Sequence, residues 1–475
     1  MKRMERCEFD VPGQTEKKMH GDCGPLSVSV RQPVHPAAKD FVQAAGKAGA
    51  TIGDYNGSVM DNKVGYLQQT IRNGARCSAA DAYIWDNLHR PNLEVVCYAT
   101  AHRVLFKEKN GRPYAYAVEY SLPDGATRQV ECQREIIVTC SAIGSPAVLM
   151  RSGIGPKDEL VKHQIECVVD NPHVGKNLED HVFAPILINC KPGKEKELNA
   201  VNRASAENMP GALSALSDWA TKGEGHLASS AYDASYFFKT GLNPDLDFPD
   251  GQIGLFVSPG NKDLFQQNLR FSDLSHLPEK ALADDGQGVI LVNTLLHPRS
   301  KGRIELKSKS PKDQPRIFAN YFLDPVDLDA LAKICVRSME IVKKMELAGD
   351  VAIPEDLKHL PLDSMDLWRE MCKRYGTTLY HPGSTCKMGA VVNSDLSVKG
   401  VGALRVADAS VFPHLPSGNT NAPAILLGEV CADIIAREHA MILGGPQPEA
   451  PDRTTRLMVA AGLVTLAAMK LTSKL

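Results

Sequence analysis

The chain has 475 residues, 43% hydrophobic and 23% charged, which is ordinary globular usage with enough length for roughly two to three domains. A formal net charge of -2 gives no bulk attraction to phosphate, so nucleic acid is not an expected partner. The 12 cysteines lie without C-x-x-C pairs or finger spacing, which reads as reduced thiols and excludes a metal finger.

The first 26 residues are polar, and Met1 to Arg6 is charged with no apolar run behind it, so no secretory leader is expected. Gly24 to Val30 alternates as a strand, and His35 to Lys47 reads as a helix. Asn73-Gly74 marks a turn, followed by a helix with Ser78 or Asp81 near its start. Asn92 to Phe106 reads as two strands. Arg112 to Tyr120 and Arg128 to Cys140 read as further paired strands, with Pro123-Asp124-Gly125 turning between them. Within the last, Ile136 to Val138 is a buried strand. The small residues Ser141, Ala142 and Gly144 then allow a close approach to the backbone, and Pro146 starts a helix. His181 reads as a hydrogen-bonded turn histidine. Ser229 to Phe238 alternates as a strand carrying Asp233, either a solvated carboxylate or a partner for a cation. Leu296 to Ser308 is a hairpin-like strand with a basic turn. Asp324 to Lys344 is an amphipathic helix with Leu328, Leu331, Ile334 and Ile341 on its apolar stripe.

The chemistry concentrates between Tyr380 and Arg437. His381 sits in a small-residue turn, Tyr380-His381-Pro382-Gly383-Ser384-Thr385-Cys386. Leu404 to Val406 is a short strand with Asp408 at its C-terminal end, where ligands gather in open α/β sheets. Ser417 to Thr420 is loop, Asn421 caps a helix, and Pro423 fits its first turn. Leu426, Val430 and Ile434 recur at helical spacing, and the N-terminus of such a helix suits an anion. His381 and Asn419 are the polar side chains to aim at a reacting centre. No G-x-S-x-G or H-E-x-x-H occurs, which argues against hydrolase chemistry. Gly444 to Pro451 is a breaker-rich linker. The apolar run Leu457 to Met469 is shorter than the roughly 20 residues a spanning helix needs, so a surface or packing helix is expected, with a weakly membrane-associated anchor as the alternative. Ser473-Lys474-Leu475 matches a peroxisomal address read by an import receptor.

The His381 turn, the Leu404-Arg405-Val406-Ala407-Asp408-Ala409-Ser410 stretch, the Ser141 to Pro156 segment and Val174 to His181 closely resemble the glucose–methanol–choline oxidoreductases. Gln68 to Tyr83 also matches the family, most like its choline and insect glucose dehydrogenase branches. Two glycines of the family pattern are replaced: Ser141 stands for one, and Gly383-Ser384 for a variable residue followed by the other. The resemblance implies an α/β fold, α+β in the substrate part, with a Rossmann-type FAD-binding domain and an interleaved antiparallel-sheet substrate domain. It implies FAD as cofactor, held around Ala101, Ser141, Gly144, Asp408, Ala409, Asn421 and Ala422. It implies a small-molecule alcohol as substrate, with His381 as general base, Asn419 as its partner and Asp233 facing a cationic substrate. The electron acceptor (quinone, dye-type acceptor or oxygen) is left open.

By this resemblance residues 1–185 form the FAD-binding region, 186–295 the substrate region, 296–440 the region with the His/Asn pair, and 441–475 a linker and tail. The family's initial G-x-G-x-x-G unit is not found, so the region reads as an incomplete Rossmann domain. The alternative is a non-catalytic or incomplete fragment that cannot hold FAD. Peroxisomes are the expected location, with mitochondria or cytoplasm as alternatives.

Overall fold

A computed structural model describes residues 1–194, 209–257 and 288–442. The linker, the Leu457 to Met469 run and the terminal tripeptide lie outside the described residues. The chain forms two compact units, each assembled from three stretches. The first takes Met1–Asp86, His181–Arg299 and Phe322–Tyr380; the second takes Asn87–Asp180, Ser300–Tyr321 and the chain from His381 onward. These units cut across the consecutive segments drawn from the sequence. Long-range strand pairing is the reason: Lys63–Tyr66 pairs with Tyr232–Phe238, so the N-terminal stretch joins the sheet of the middle one.

The first unit is built on an eight-stranded sheet. Its order is Ala348–Val351, Val182–Cys190, Gly288–Leu295, Gly251–Phe256, Tyr232–Phe238, Lys63–Tyr66 and Thr51–Ile52, with Thr377–Thr378 also paired to Val182–Cys190. Every pairing is antiparallel except that between Thr51–Ile52 and Lys63–Tyr66. Helices Pro36–Lys47 and Pro325–Val342 pack against the sheet. Local chemistry starts both: the His35 ring accepts from the Ala37 N–H, and Asp324 accepts from Val326 N–H. Leu331, Ile334 and Ile341 of the second helix are buried, whereas Leu328 is only half-buried. Asn73 and Gly74 both take positive φ, 50° and 73°, which gives a tight hairpin between Ile71–Arg72 and Ala75–Arg76. Ser78 and Asp81 then form a reciprocal capping box on Ala79–Tyr83.

Asp233 is not a solvated carboxylate. It is 4% exposed, pairs with Arg31 Nη1 at 2.5 Å and accepts from Ser229 Oγ at 2.8 Å. An unpaired carboxylate would be too costly at that depth, and Arg31 supplies the countercharge.

The second unit holds an antiparallel sheet, Thr127–Glu131, Arg112–Ser121 and Thr100–Lys109, and a parallel pair, Ile136–Val138 with Leu404–Val406. The Arg128 to Cys140 stretch therefore divides, its first part staying in the antiparallel sheet and its second crossing to the parallel pair. Of the two strands expected between Asn92 and Phe106, only the one from Thr100 forms. Leu93 to Cys97 is irregular, with Val95 and Val96 exposed. A β-prone segment becomes a strand only beside another strand that accepts its hydrogen bonds. Helix Ser141–Arg151 begins before Pro146 and contains it. Helix Asn421–Ile442 buries Cys431 and Ile435 and rests Leu427 on the core, while Val430 is 41% exposed. Its buried stripe thus falls one residue after the expected Leu426, Val430 and Ile434. Among the described residues, no helix is long and apolar enough to cross a membrane.

Candidate active site

The His381 turn is fixed from both sides by main-chain bonds. Gly383 and Glu179 exchange two of them, Gly383 N–H to Glu179 O at 2.9 Å and Glu179 N–H to Gly383 O at 3.2 Å. Across the turn, Ser384 N–H donates to Ala409 O at 3.1 Å and Cys386 N–H to Ser410 O at 2.8 Å. A Cβ at Gly383 would stand 2.7 Å from Leu415 Cδ2 and 3.2 Å from Ala409 O, so a larger residue there would have to push the Leu415 side chain aside. Asp180 Oδ1 accepts the His381 N–H at 3.1 Å. The ring is thereby presented next to Asn419, with His381 Nε2 and Asn419 Nδ2 3.5 Å apart. A substrate oxygen between these nitrogens is within hydrogen-bond reach of both. Burial pushes the His381 pKa down to about 4 from 6.5, so the ring is neutral at pH 7 and able to accept a proton.

Asp408 acts as a brace where the two parallel strands end. One carboxylate oxygen accepts from Ser141 N–H at 3.0 Å and Ser145 Oγ at 2.5 Å; the other accepts from Ser410 N–H at 2.8 Å. Burial raises its pKa above the usual carboxylate value, and these hydrogen bonds pull the other way. Pro146 has no N–H to give to the carbonyl of Ala142, one helical turn earlier. Thr385 Oγ1 donates to that carbonyl instead, at 2.5 Å. The missing bond of the helix is thus made by the turn that carries His381.

The residues named as cofactor-binding fall into three places. Ser141, Gly144, Asp408 and Ala409 converge at the ends of the parallel pair. Ala101 lies apart: it precedes His102, whose carbonyl accepts from Arg151 at the other end of helix Ser141–Arg151. Asn421 is an exposed first residue of the long helix and not its cap, since the Thr420 carbonyl receives the Ala424 N–H. Ala422 beside it is half-buried. The start of the long helix, at Asn421 and Ala422, offers main-chain N–H groups that suit the electron-rich ring of FAD, while the Ser141 N–H is already taken by Asp408. Ser141 has φ 70° and Ser384 φ 68°, the left-handed region that favours glycine. Both positions where this chain departs from the family's glycine pattern are therefore backbone-strained. Ser384 Oγ is in addition buried with no hydrogen-bond partner among the described residues.

Sequence reading did not single out Glu179, Asp180 or Thr385. For Thr385 a signal existed in Pro146, which frees the carbonyl of Ala142. His181 is fully buried, and its carbonyl accepts from Leu379 N–H at 2.8 Å.

Residues 1–183 and 298–428 match the N-terminal and C-terminal family models of the GMC oxidoreductases. The chain is 33% identical over 435 residues to an alcohol dehydrogenase [acceptor] of Pseudomonas putida, covering 88% of this chain and 72% of that one. It is 32% identical over 441 residues to an oxygen-dependent choline dehydrogenase of Rhizobium etli, covering 91% and 74%. Its fold is similar to that of a formate oxidase of Aspergillus oryzae, with a TM-score of 0.79 at 24% identity over 93% of this chain and 78% of that one. With both family models in order along the chain, and the His/Asn pair and strand-end aspartate in place, the protein belongs to the GMC oxidoreductases, the FAD-dependent glucose–methanol–choline family.

Proposed function

We propose that the chain oxidises the CH–OH group of an uncharged alcohol, with His381 accepting the hydroxyl proton and Asn419 hydrogen-bonding the oxygen. The observation that carries this reading is the approach of His381 Nε2 and Asn419 Nδ2 to 3.5 Å, with a ring that burial keeps neutral. FAD, when bound, supplies the two-electron redox chemistry. The chain's own work is to orient the alcohol, remove its proton at His381 Nε2 and steady the developing negative oxygen. The activities of these relatives, alcohol and choline dehydrogenation, support an alcohol substrate. The buried Arg31–Asp233 pair favours a neutral one, because the carboxylate that would meet a quaternary ammonium already has its cation. The acceptor that reoxidises the flavin stays open among quinone, dye and oxygen. Ser473-Lys474-Leu475 supports import into peroxisomes, which a tripeptide deletion followed by microscopy would test.

The experiment is a visible spectrum of the full chain after adding FAD and passing it through gel filtration, then anaerobic addition of alcohols. Retained flavin, bleached faster by the uncharged carbon isostere of choline than by choline itself, is expected. A colourless chain would favour the incomplete-fragment reading, in which the missing glycine-rich turn is indispensable. Faster bleaching by choline would sink the neutral-substrate reading.

A further inference from the structure

We propose that Glu179 and Asp180 are positioning residues, a two-carboxylate clamp that sets His381 and Asn419 at their working separation. The proposal rests on the His381/Asn419 reading above and names what holds that pair together. Two adjacent carboxylates are buried here, Glu179 at 2% exposed and Asp180 at 8%, although acidic residues are rarely buried without partners. Adjacent residues of an extended segment send their side chains to opposite sides, and these two grip different loops.

Asp180 serves the His381 side. One oxygen takes the His381 main-chain N–H at 3.1 Å, and the other accepts from Tyr321 Oη at 2.5 Å, which fixes the rotation of the carboxylate. Glu179 serves the Asn419 side. One oxygen takes the Leu415 N–H at 3.2 Å, and the other meets Lys301 Nζ at 2.7 Å and His414 Nδ1 at 3.3 Å. Leu415 precedes Asn419 by one short loop. The paired main-chain bonds of Glu179 and Gly383 add the third fastening. A single dipeptide therefore ties together two loops that are distant in sequence and carry the two reacting side chains. Asp180 holds His381 by its main-chain N–H, so the clamp places the ring by fixing the backbone that carries it.

The test compares Asp180→Ala, Asp180→Asn, Glu179→Ala and Tyr321→Phe in the full chain supplied with FAD. Asp180→Ala is expected to lower kcat for alcohol oxidation by about 100-fold with KM changed only a few-fold, because a misplacement near 1 Å costs that much. Asp180→Asn keeps an acceptor for the His381 N–H and is expected to restore most of kcat. A readout independent of flavin is the titration of His381 by histidine-labelled NMR, assigned with His381→Asn. The wild-type ring should titrate near 4, and Asp180→Ala should move it toward 6.5 as the loop loosens. If Asp180→Ala fails to fold, Tyr321→Phe, which keeps the ring and removes one hydroxyl, should give the same change on a smaller scale. Wild-type kcat and an unmoved titration in Asp180→Ala, or in Tyr321→Phe when the alanine variant is insoluble, would overturn the clamp. Wild-type turnover by His381→Ala would instead overturn the underlying reading.

Discussion

His381 combines two properties that a histidine in water does not: it stands beside an amide at a fixed distance, and it remains neutral well below pH 6. The consequence appears in the acid limb of the pH profile. Protonation disables the base, so kcat/KM for the alcohol should stay level as pH falls through 6.5 and decline only toward about 4. A limb centred at 6.5, measured with enzyme shown to be stable across the range, would mean the ring is solvated in the working enzyme. The two serines in left-handed backbone give a second expectation. Ser384→Gly removes strain of about 1–2 kcal/mol and an orphaned hydroxyl, offset by about 0.4–1 kcal/mol of extra freedom in the unfolded chain. It should therefore raise the melting temperature, and more than Ser141→Gly, since the Ser141 hydroxyl accepts from Ile143 N–H at 3.4 Å. A lower melting temperature for Ser384→Gly would show that its hydroxyl has work elsewhere. The sequence displayed His381, Asn419 and both serines. It did not display that Asp233 is neutralised, because Arg31 lies 202 positions away along the chain.

Local signals set most elements of this protein, and their failures share one cause. The cap expected at Ser78 or Asp81 formed, and the starts of the helices read from His35 and Asp324 are fixed by those residues' own side chains, since caps depend only on neighbouring residues. Leu93 to Cys97 failed as a strand, and the stripe of the last helix shifted by one residue, because both depend on what packs beside them. Helix Ser141–Arg151 shows the two levels meeting, with a proline that frees a carbonyl and a threonine from a distant turn that takes it up. Thr385→Val should cost about 1–3 kcal/mol, since it leaves a buried acceptor unpaired. Pro146→Ala restores the N–H that this carbonyl lacks. The double variant should then lose less stability than the two single losses combined, measured by urea unfolding as a double-mutant cycle. Strict additivity would mean that the two residues do not share that carbonyl.

A second titration that bears on the stability of the molecule belongs to the first unit. In the first unit His20 is held between Asp54 at 2.8 Å and Glu5 at 2.7 Å, with its side chain 4% exposed. The hydrogen bonds to Asp54 and then Glu5 raise its pKa from 6.5 to about 9. A raised pKa stabilises the fold fully below 6.5 and loses that contribution as pH climbs toward 9. The unfolding free energy should accordingly fall between pH 7 and 9.5 by an amount on the order of 2 kcal/mol, read as a lower melting temperature, and His20→Asn should flatten that slope. An unchanged slope in the variant would assign it to other groups. The two-unit layout was only partly legible in the sequence: an antiparallel substrate sheet and an incomplete Rossmann-type domain were expected, but not that the first 86 residues belong with the former. That interleaving has a consequence for synthesis on the ribosome. Ile136–Val138 emerges early, yet its parallel neighbour Leu404–Val406 is made only after 265 further residues. Until then the edge that Leu404–Val406 will cover stays open, so the longer elongation takes, the longer that edge can pair with another molecule.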